Sequence, residues 1–303
     1  MGTSHRHTPS VAGEPNWGNA SAAVTGIAGA EKELDDLEKE LGEGINSSEG
    51  KESEENDGKQ EETTLQKKSV SPERRKAITK RQQKLDNRIR TNYHKAVRSL
   101  VKAAGGRSRV SNGSSRAIGH AGVVIASRLV SAISSIVKNG LKDWLDRRGI
   151  TSLEGKSCRD ILELIRDYIK AGVAGLDNTA ANQAMESVLD DIEEKVGEDL
   201  ENFDKVMNNL MNSDDIKDML DRFFGMYIFC HLSQDFQEKL EYEKGSKVMN
   251  DTMNEIKELI EDDIKRSQLG RDAATIDWNS EEGKVFVQKE FDRIIYILSG
   301  NED

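Results

Sequence analysis

The sequence predicts an all-α protein, with a multi-helix globular body that follows a long disordered N-terminal tail. Pro9, Pro15 and Pro72 are the only prolines in a chain of 303 residues. A β-rich domain of the length that follows Pro72 would use proline at many turns, whereas a run of helices has no such need. Apolar residues also recur with a period near 3.6, and this spacing is typical of helices rather than strands.

Charge is segregated along the chain, whose formal net charge is −11. Residues 31–62 include fourteen acidic and four basic residues, and residues 67–109 include fifteen basic and two acidic ones. Residues 176–303 are acidic again, with thirty-two acids and fourteen bases. Such uneven charge indicates complementary contacts, either within the chain or with a partner.

The first of three regions, residues 1–70, is expected to be a flexible tail. Residues 1–29 are rich in Gly, Ala, Ser and Asn, and the acidic stretch 42–64, which has almost no large apolar side chains, is expected to be disordered. Within this tail, Leu34, Leu37 and Leu41 have the spacing of a short amphipathic helix near residues 31–41. So short a helix is marginal alone in water, and we expect it to form by docking.

The second region, residues 71–106, is expected to be a long basic helix. Ser71 can cap its start, Pro72 suits the first helical position, and Gly105 with Gly106 can end it. The third region, residues 107–303, is predicted to be an all-helical domain in which Ser157 caps one helix, while Ser213 and Ser280 are each followed by two acids in the first turn of another. Its helices are expected at 115–138, 141–147, 158–169, 178–196, 198–211, 213–242, 247–267 and 280–298.

The sequence contains no recognisable catalytic constellation, so we predict no enzymatic activity, no cofactor and no metal site. Gly155-Lys156-Ser157 resembles the end of a phosphate-binding loop, but Ile150 stands where that loop requires glycine. Cys158 and Cys230 fall within helical patterns, where buried structural thiols are the commoner case.

Two patterns in the sequence indicate where in the cell the protein is located. The N-terminal stretch lacks the basic start and apolar run of a secretory signal, and two cysteines suit a reducing compartment. The most apolar stretch, residues 117–137, contains His120 and Arg128, so we expect it not to span a bilayer. We therefore expect a cytoplasmic protein with no membrane partner.

Gly2 is the candidate position for chemistry. Removal of Met1 would expose its α-amine, whose ordinary pKa of ~7.7–8.0 leaves a sizeable fraction as the uncharged nucleophile at neutral pH. Arg6 stands where an N-myristoylation signal needs Ser or Thr, and the sequence therefore does not fit that modification.

The basic helix is a second candidate surface. The side chains that could contact phosphates are Arg74, Arg75, Lys76, Lys80, Arg81, Lys84 and Arg88, with Arg90 beside them. Few aromatic residues lie between them, which gives no support to base stacking. Pairing with the acidic regions of the chain, or with an acidic protein, is the competing interpretation, and both stay open.

With these features in view, the chain resembles the QatB family, a component of the four-gene Qat anti-phage defence system. The resemblance rests on the opening Met1-Gly2-Thr3-Ser4, on the sequence from Arg116-Ala-Ile-Gly-His-Ala to residue 156, and on Phe223-Phe-Gly-Met-Tyr-Ile-Phe. One departure is the stretch from His5 to Pro9, which replaces the Gly-Gly-Pro common after such openings.

The resemblance implies an anti-phage subunit that acts with an ATPase, a TatD-like nuclease and QatC, which is similar to the QueC ligases. A QueC-like enzyme adenylates a 7-deazaguanine carboxylate for attack by ammonia, and the Gly2 amine in place of ammonia would give an amide-linked base. We assign recognition of this partner to Thr3, Ser4, Leu34, Leu37 and Leu41. The alternatives are a nucleic-acid-binding protein acting through residues 67–109 and a phage or plasmid structural protein.

Overall fold

The computed structural model describes residues 15–46, 72–150, 155–170, 176–197, 201–210, 213–266 and 277–300. Over these residues the chain forms eleven helices and no strand. The helices are α1 (Pro15–Asn46), α2 (Pro72–Ala103), α3 (Arg107–Ser111), α4 (His120–Asn139), α5 (Leu141–Asp146), α6 (Cys158–Lys170), α7 (Leu176–Val196), α8 (Glu201–Leu210), α9 (Ser213–Lys244), α10 (Ser246–Arg266) and α11 (Glu281–Leu298). The prediction of an all-α body is confirmed for the described part of the chain.

Most predicted helix ends are found within a few residues, at the side chains that the sequence indicates. Gly105 ends α2 with a φ of 100°, a backbone conformation that favours glycine. Ser157 and Ser280 cap α6 and α11, and each hydroxyl oxygen accepts a first-turn backbone N–H at 3.2 Å. The helix expected from residue 115 begins instead at His120, and the short α3 was not expected.

The N-terminal helix α1 differs from the predicted tail. Residues 15–30 and 42–46, which we predict to be outside any helix, lie in α1 with the expected segment 31–41 between them. Composition misled the prediction, because the small residues that are typical of a flexible tail also allow a helix to pack closely. Ala20, Ala23, Val24 and Ile27 are at most 2% exposed. The rest of the predicted tail, residues 1–14 and 47–70, lies outside the described residues.

α1 packs against α2 in the antiparallel direction. Gly26 faces Asn92, while Glu33, further along α1, accepts from Arg88 Nη1 at 2.9 Å. A Cβ atom on Gly26 would lie 2.7 Å from Nδ2 of Asn92, so glycine permits the two helices to approach this closely. The contact therefore depends on small residues in α1 rather than on a broad leucine stripe.

α4 lies at the centre of the body, and ten of its residues are buried there. We expected this stretch to be too polar to span a bilayer. Among the described helices, however, α4 is the one that is long and apolar enough to cross a membrane, with mean hydropathy 1.6. Its place inside the core accounts for that composition, since core helices of globular proteins pass the same test. Beside it, Phe224 of α9 stacks on Phe291 of α11 with ring centroids 4.3 Å apart.

A buried carboxylate joins three of these helices. Asp177, in the first turn of α7, accepts the backbone N–H of Ala121 at 2.7 Å and that of Gly119 at 3.3 Å. It thereby caps the start of α4 from another helix, where the orphan N–H groups and the dipole favour negative charge. From α9, Tyr227 donates its hydroxyl proton to the same carboxylate, and His231 Nε2 lies 3.2 Å from it.

Two glycines make this arrangement possible. A Cβ atom on Gly119 would lie 2.2 Å from the carbonyl oxygen of Val110, and the φ of Gly119 is +119°. A Cβ atom on Gly122 would lie 2.8 Å from the ring of Tyr227. The start of α4 can therefore reach Asp177 and Tyr227 because both positions lack a side chain.

A second buried charge cluster joins α9 to α11. The guanidinium of Arg293 bonds to the carboxylate of Asp221, and its Nε donates to Glu290 Oε2 at 2.8 Å. Burial raises the pKa of Asp221 to about 6, although the positive charge of Arg293 opposes that shift. Removing either partner would leave an uncompensated charge in the core, which is strongly destabilising.

Carboxylates crowd the contact between α1 and α10. The pKa of Glu31 is raised to about 7, mainly by burial and further by four nearby carboxylates. These carboxylates belong to Glu255, Asp35, Asp251 and Glu258. Lys247 offsets part of this repulsion, because its Nζ lies 3.2 Å from Asp35 and 3.7 Å from Asp251. The docking of α1 is therefore expected to respond to pH.

We predict that changing Glu31 to Gln reduces the pH dependence of stability. Between the ordinary pKa of 4.5 and the folded value of about 7, the folded state keeps a proton that the unfolded state releases. This stabilisation is fully present below the lower value and is lost as the pH rises through the higher one. The melting temperature of the unmodified protein should therefore fall more between about pH 5.5 and pH 8 than that of Glu31→Gln.

Thermal unfolding followed by circular dichroism measures this difference. Glu38→Gln is the matched control, since Glu38 lies on the exposed face of the same helix. It should keep the pH dependence of the unmodified protein. Equal pH dependence in Glu31→Gln and the unmodified protein would contradict the assignment of this proton to Glu31.

Candidate functional site

Residues 2–14, which we call the N-terminal arm, precede a helix that is packed on the body. Gly2, Thr3 and Ser4 lie outside the described residues, and the described chain begins at Pro15 in α1. Trp17, one half-turn further on, packs against Phe236 of α9 with ring centroids 6.3 Å apart. The candidate nucleophile is therefore thirteen residues from a fixed point instead of about seventy.

The leucines assigned to partner recognition are placed differently from one another. Leu37 is 2% exposed and Leu34 is partly buried against the core, so both contact the chain's own body. The side chain of Leu41 lies outside the described residues. The segment 31–41 forms a helix that packs on another surface, as expected, but Leu37 is buried against this chain's own body. Leu37 is thus not available to a partner while α1 is in place.

The first half of α2 displays an exposed basic surface, which we define as Arg75, Lys76, Lys80, Arg81 and Lys84. All five side chains are exposed. Within the described part of the chain, no ion pair involves any of them. Arg74 is exposed beside them and has a partner of its own. Among the predicted phosphate-binding residues, these five are both exposed and without an ion-pair partner in the described part of the chain.

The later cations of α2 bind the protein itself. Arg88 pairs with Glu33 of α1 at 2.9 Å, and Arg90 pairs with Asp263 of α10. Arg98 donates to the backbone carbonyl just after α11 at 2.8 Å. Internal pairing is therefore observed for Arg88 and Arg90, and phosphate binding by the first half of α2 stays a prediction.

The two thiols have environments that disfavour nucleophilic chemistry. Burial raises the pKa of Cys158, and the charge of Glu193 adds to that effect. Burial also raises the pKa of Cys230 to about 12, so the thiol is protonated at neutral pH. Across the described ranges, no group of three or more His, Cys, Asp or Glu side chains could hold a metal ion.

Sequence reasoning missed the residues that fix the arm. Trp17, Ser21 and Gly26 lie in the stretch that composition assigned to a tail. One available signal was the spacing of Ala20, Val24 and Ile27, since residues at i, i+4 and i+7 share one face of a helix.

One family model matches the chain. It is described as the Qat anti-phage system associated protein QatB and matches residues 105–298. The match contains α3 to α11, and so includes the Asp177 cap and the Arg293 cluster, while α1 and α2 precede it. No curated protein and no solved structure matches the chain. Because the family match covers more than half of the 303 residues, the chain belongs to the QatB family, a component of the Qat anti-phage system.

Proposed function

We propose that this QatB-family chain is a non-enzymatic subunit that presents the α-amine of Gly2 to a QueC-like partner, QatC, in the cytoplasm. The observation that carries the proposal is the family match over residues 105–298, which assigns the chain to an anti-phage system. The ATPase and the TatD-like nuclease of the same system are the further partners that we propose. The proposed product is an amide between Gly2 and a 7-deazaguanine carboxylate.

The chemistry of an N-terminal amine supports this role. At a pH near ~7.5 about a quarter to a third of an α-amine is uncharged, compared with about a thousandth of a solvated lysine. The amine nitrogen forms a bond to the acyl carbon of the adenylate, the bond to AMP breaks, and a proton passes to solvent. ATP supplies the activation, and the partner positions the reactants, so this chain needs no catalytic base of its own.

The fold supports presentation of Gly2 at a limited distance from the body. Gly2 is thirteen positions before Pro15, so a fully extended arm would reach at most about 45 Å. A partner that receives Gly2 must therefore dock within that distance of the contact between Trp17 and Phe236. Thr3 and Ser4, which have small side chains, are the residues that would enter the partner's active site with Gly2.

Mass spectrometry of the protein co-expressed with its QueC-like partner tests the proposal. We expect loss of Met1 and a mass increase that maps to Gly2. Gly2→Leu should retain Met1 and abolish both the adduct and phage protection. Gly2→Ala is the matched control, because alanine is small enough for Met1 removal and keeps the free amine, and it should still be modified. An unmodified Gly2 in the presence of active partner, ATP and deazaguanine precursor would overturn the proposal.

Binding of nucleic acid is a second candidate function. The specific observation in its favour is the basic surface of α2, where five exposed cations have no ion-pair partner within the described residues. When exposed cations such as these neutralise phosphates, counterions condensed on the nucleic acid are released, and this release favours binding. A partner with an acidic surface would use the same five side chains.

We predict that any nucleic-acid affinity depends on this surface and falls steeply with salt. Arg75, Arg81 and Lys84 changed together to Glu should abolish binding, as measured by fluorescence anisotropy with a labelled duplex at several salt concentrations. The matched control changes Lys138, Lys142 and Lys289 to Glu, since these side chains are exposed on other helices and the net charge is the same. Absence of binding at low salt would exclude this function and leave the surface to a protein partner.

A further inference from the structure

An open groove of about 520 Å³ lies between α7 and α9. Its floor includes the half-buried Met226 and Phe229, and Ser233 lies further along α9. The rim on the α7 side is formed by the carboxylates of Glu186, Asp190 and Asp191. The groove thus combines a small apolar floor with an acidic edge.

Each of the three carboxylates at this rim has a cation near it. Lys170 Nζ lies 2.7 Å from Glu186, and Arg222 Nε lies 2.6 Å from Asp191. The side chain of Asp190 is 70% exposed, and its nearest cation is a guanidinium 3.9 Å away. Asp190 is therefore the rim carboxylate with most capacity for another positively charged group.

The first turn of α1, which the N-terminal arm precedes, lies beside α9, the helix that forms one side of this groove. Trp17 of α1 contacts Phe236, and Ser21, one turn later, accepts from Lys239 Nζ at 2.7 Å. α1 therefore runs alongside α9 in the same direction, and the N-terminal end of α1 faces along α9 towards Ser233. Phe229 lies seven residues before Phe236, on the same face of α9 and about 10 Å away along the helix axis.

The arm has the length and the chemistry for this groove. Val11 is four positions before Pro15, so it can lie up to about 14 Å from Pro15, which is far enough to reach Phe229. Arg6, His5 and His7 follow towards the free end, where the exposed carboxylate of Asp190 can accept a positive charge. The α-amine adds a further positive charge at the tip.

We propose that the N-terminal arm folds back into the groove between α7 and α9 when the protein is free, with Val11 on the apolar floor and Arg6 at the acidic rim. The arm is then held by its own body until a partner draws it out. This inference concerns the free protein, and it stands or falls independently of any modification of Gly2.

Disulfide trapping in the isolated full-length protein tests this docking. Cys158 and Cys230 are first changed to Ala, because Cys230 lines the groove. Val11→Cys is then combined with Ser187→Cys in the groove, or with Tyr242→Cys as the matched control. Tyr242 is 92% exposed and lies six residues after Phe236, about as far from Phe236 along the helix axis as Phe229 in the opposite direction.

An undocked arm would sample both positions at similar effective concentrations, and the more exposed thiol of Tyr242→Cys would react at least as fast. With docking, we expect the pair that includes Ser187→Cys to form its disulfide at least about tenfold faster in a glutathione buffer. Adding Phe229→Glu should lower that rate to the control rate while circular dichroism stays unchanged. Equal rates for the two pairs would overturn the proposal.

Discussion

The packing of α1 onto the body is the constraint on which the functional account depends. It fixes the position of Pro15, which the N-terminal arm precedes, and so limits the distance from the body that Gly2 can reach. The contact is made by small residues on α1, and it is closest where Gly26 faces Asn92. Ion pairs at its edge, such as Glu33 with Arg88, add orientation more than stability, because both side chains are about half exposed.

The region before the family match is attached to the matched region by many separate contacts. Trp17 of α1 packs on Phe236, while Arg90 and Arg98 of α2 bind groups in or beside α10 and α11. The arm is therefore carried by the rigid helical body of the family rather than by a long tether. For a partner enzyme this lowers the entropy that is lost when Gly2 is positioned, because fewer residues must be ordered.

Sequence reasoning succeeded where local chemistry determines structure and failed where distant residues do. Ser157, Ser280 and Gly105 act within one turn of their own helices, so their roles could be predicted from neighbouring residues. Asp177 follows no such rule, because it caps α4 from the start of α7 across 56 residues of chain. The tail prediction was wrong at residues 15–30 and 42–46 for a similar reason, since the small residues of α1 form a helix against a surface that comes later in the sequence.

Hydrogen exchange of α1 in the isolated protein tests the central claim most directly. If α1 is docked, the backbone amides from about residue 20 to residue 37 should exchange as slowly as those of α10, against which α1 packs. Peptide-level mass spectrometry of the full-length chain resolves this region. Exchange within seconds across that stretch, with α10 still protected, would mean that Gly2 sits on a long free tether and would contradict the account.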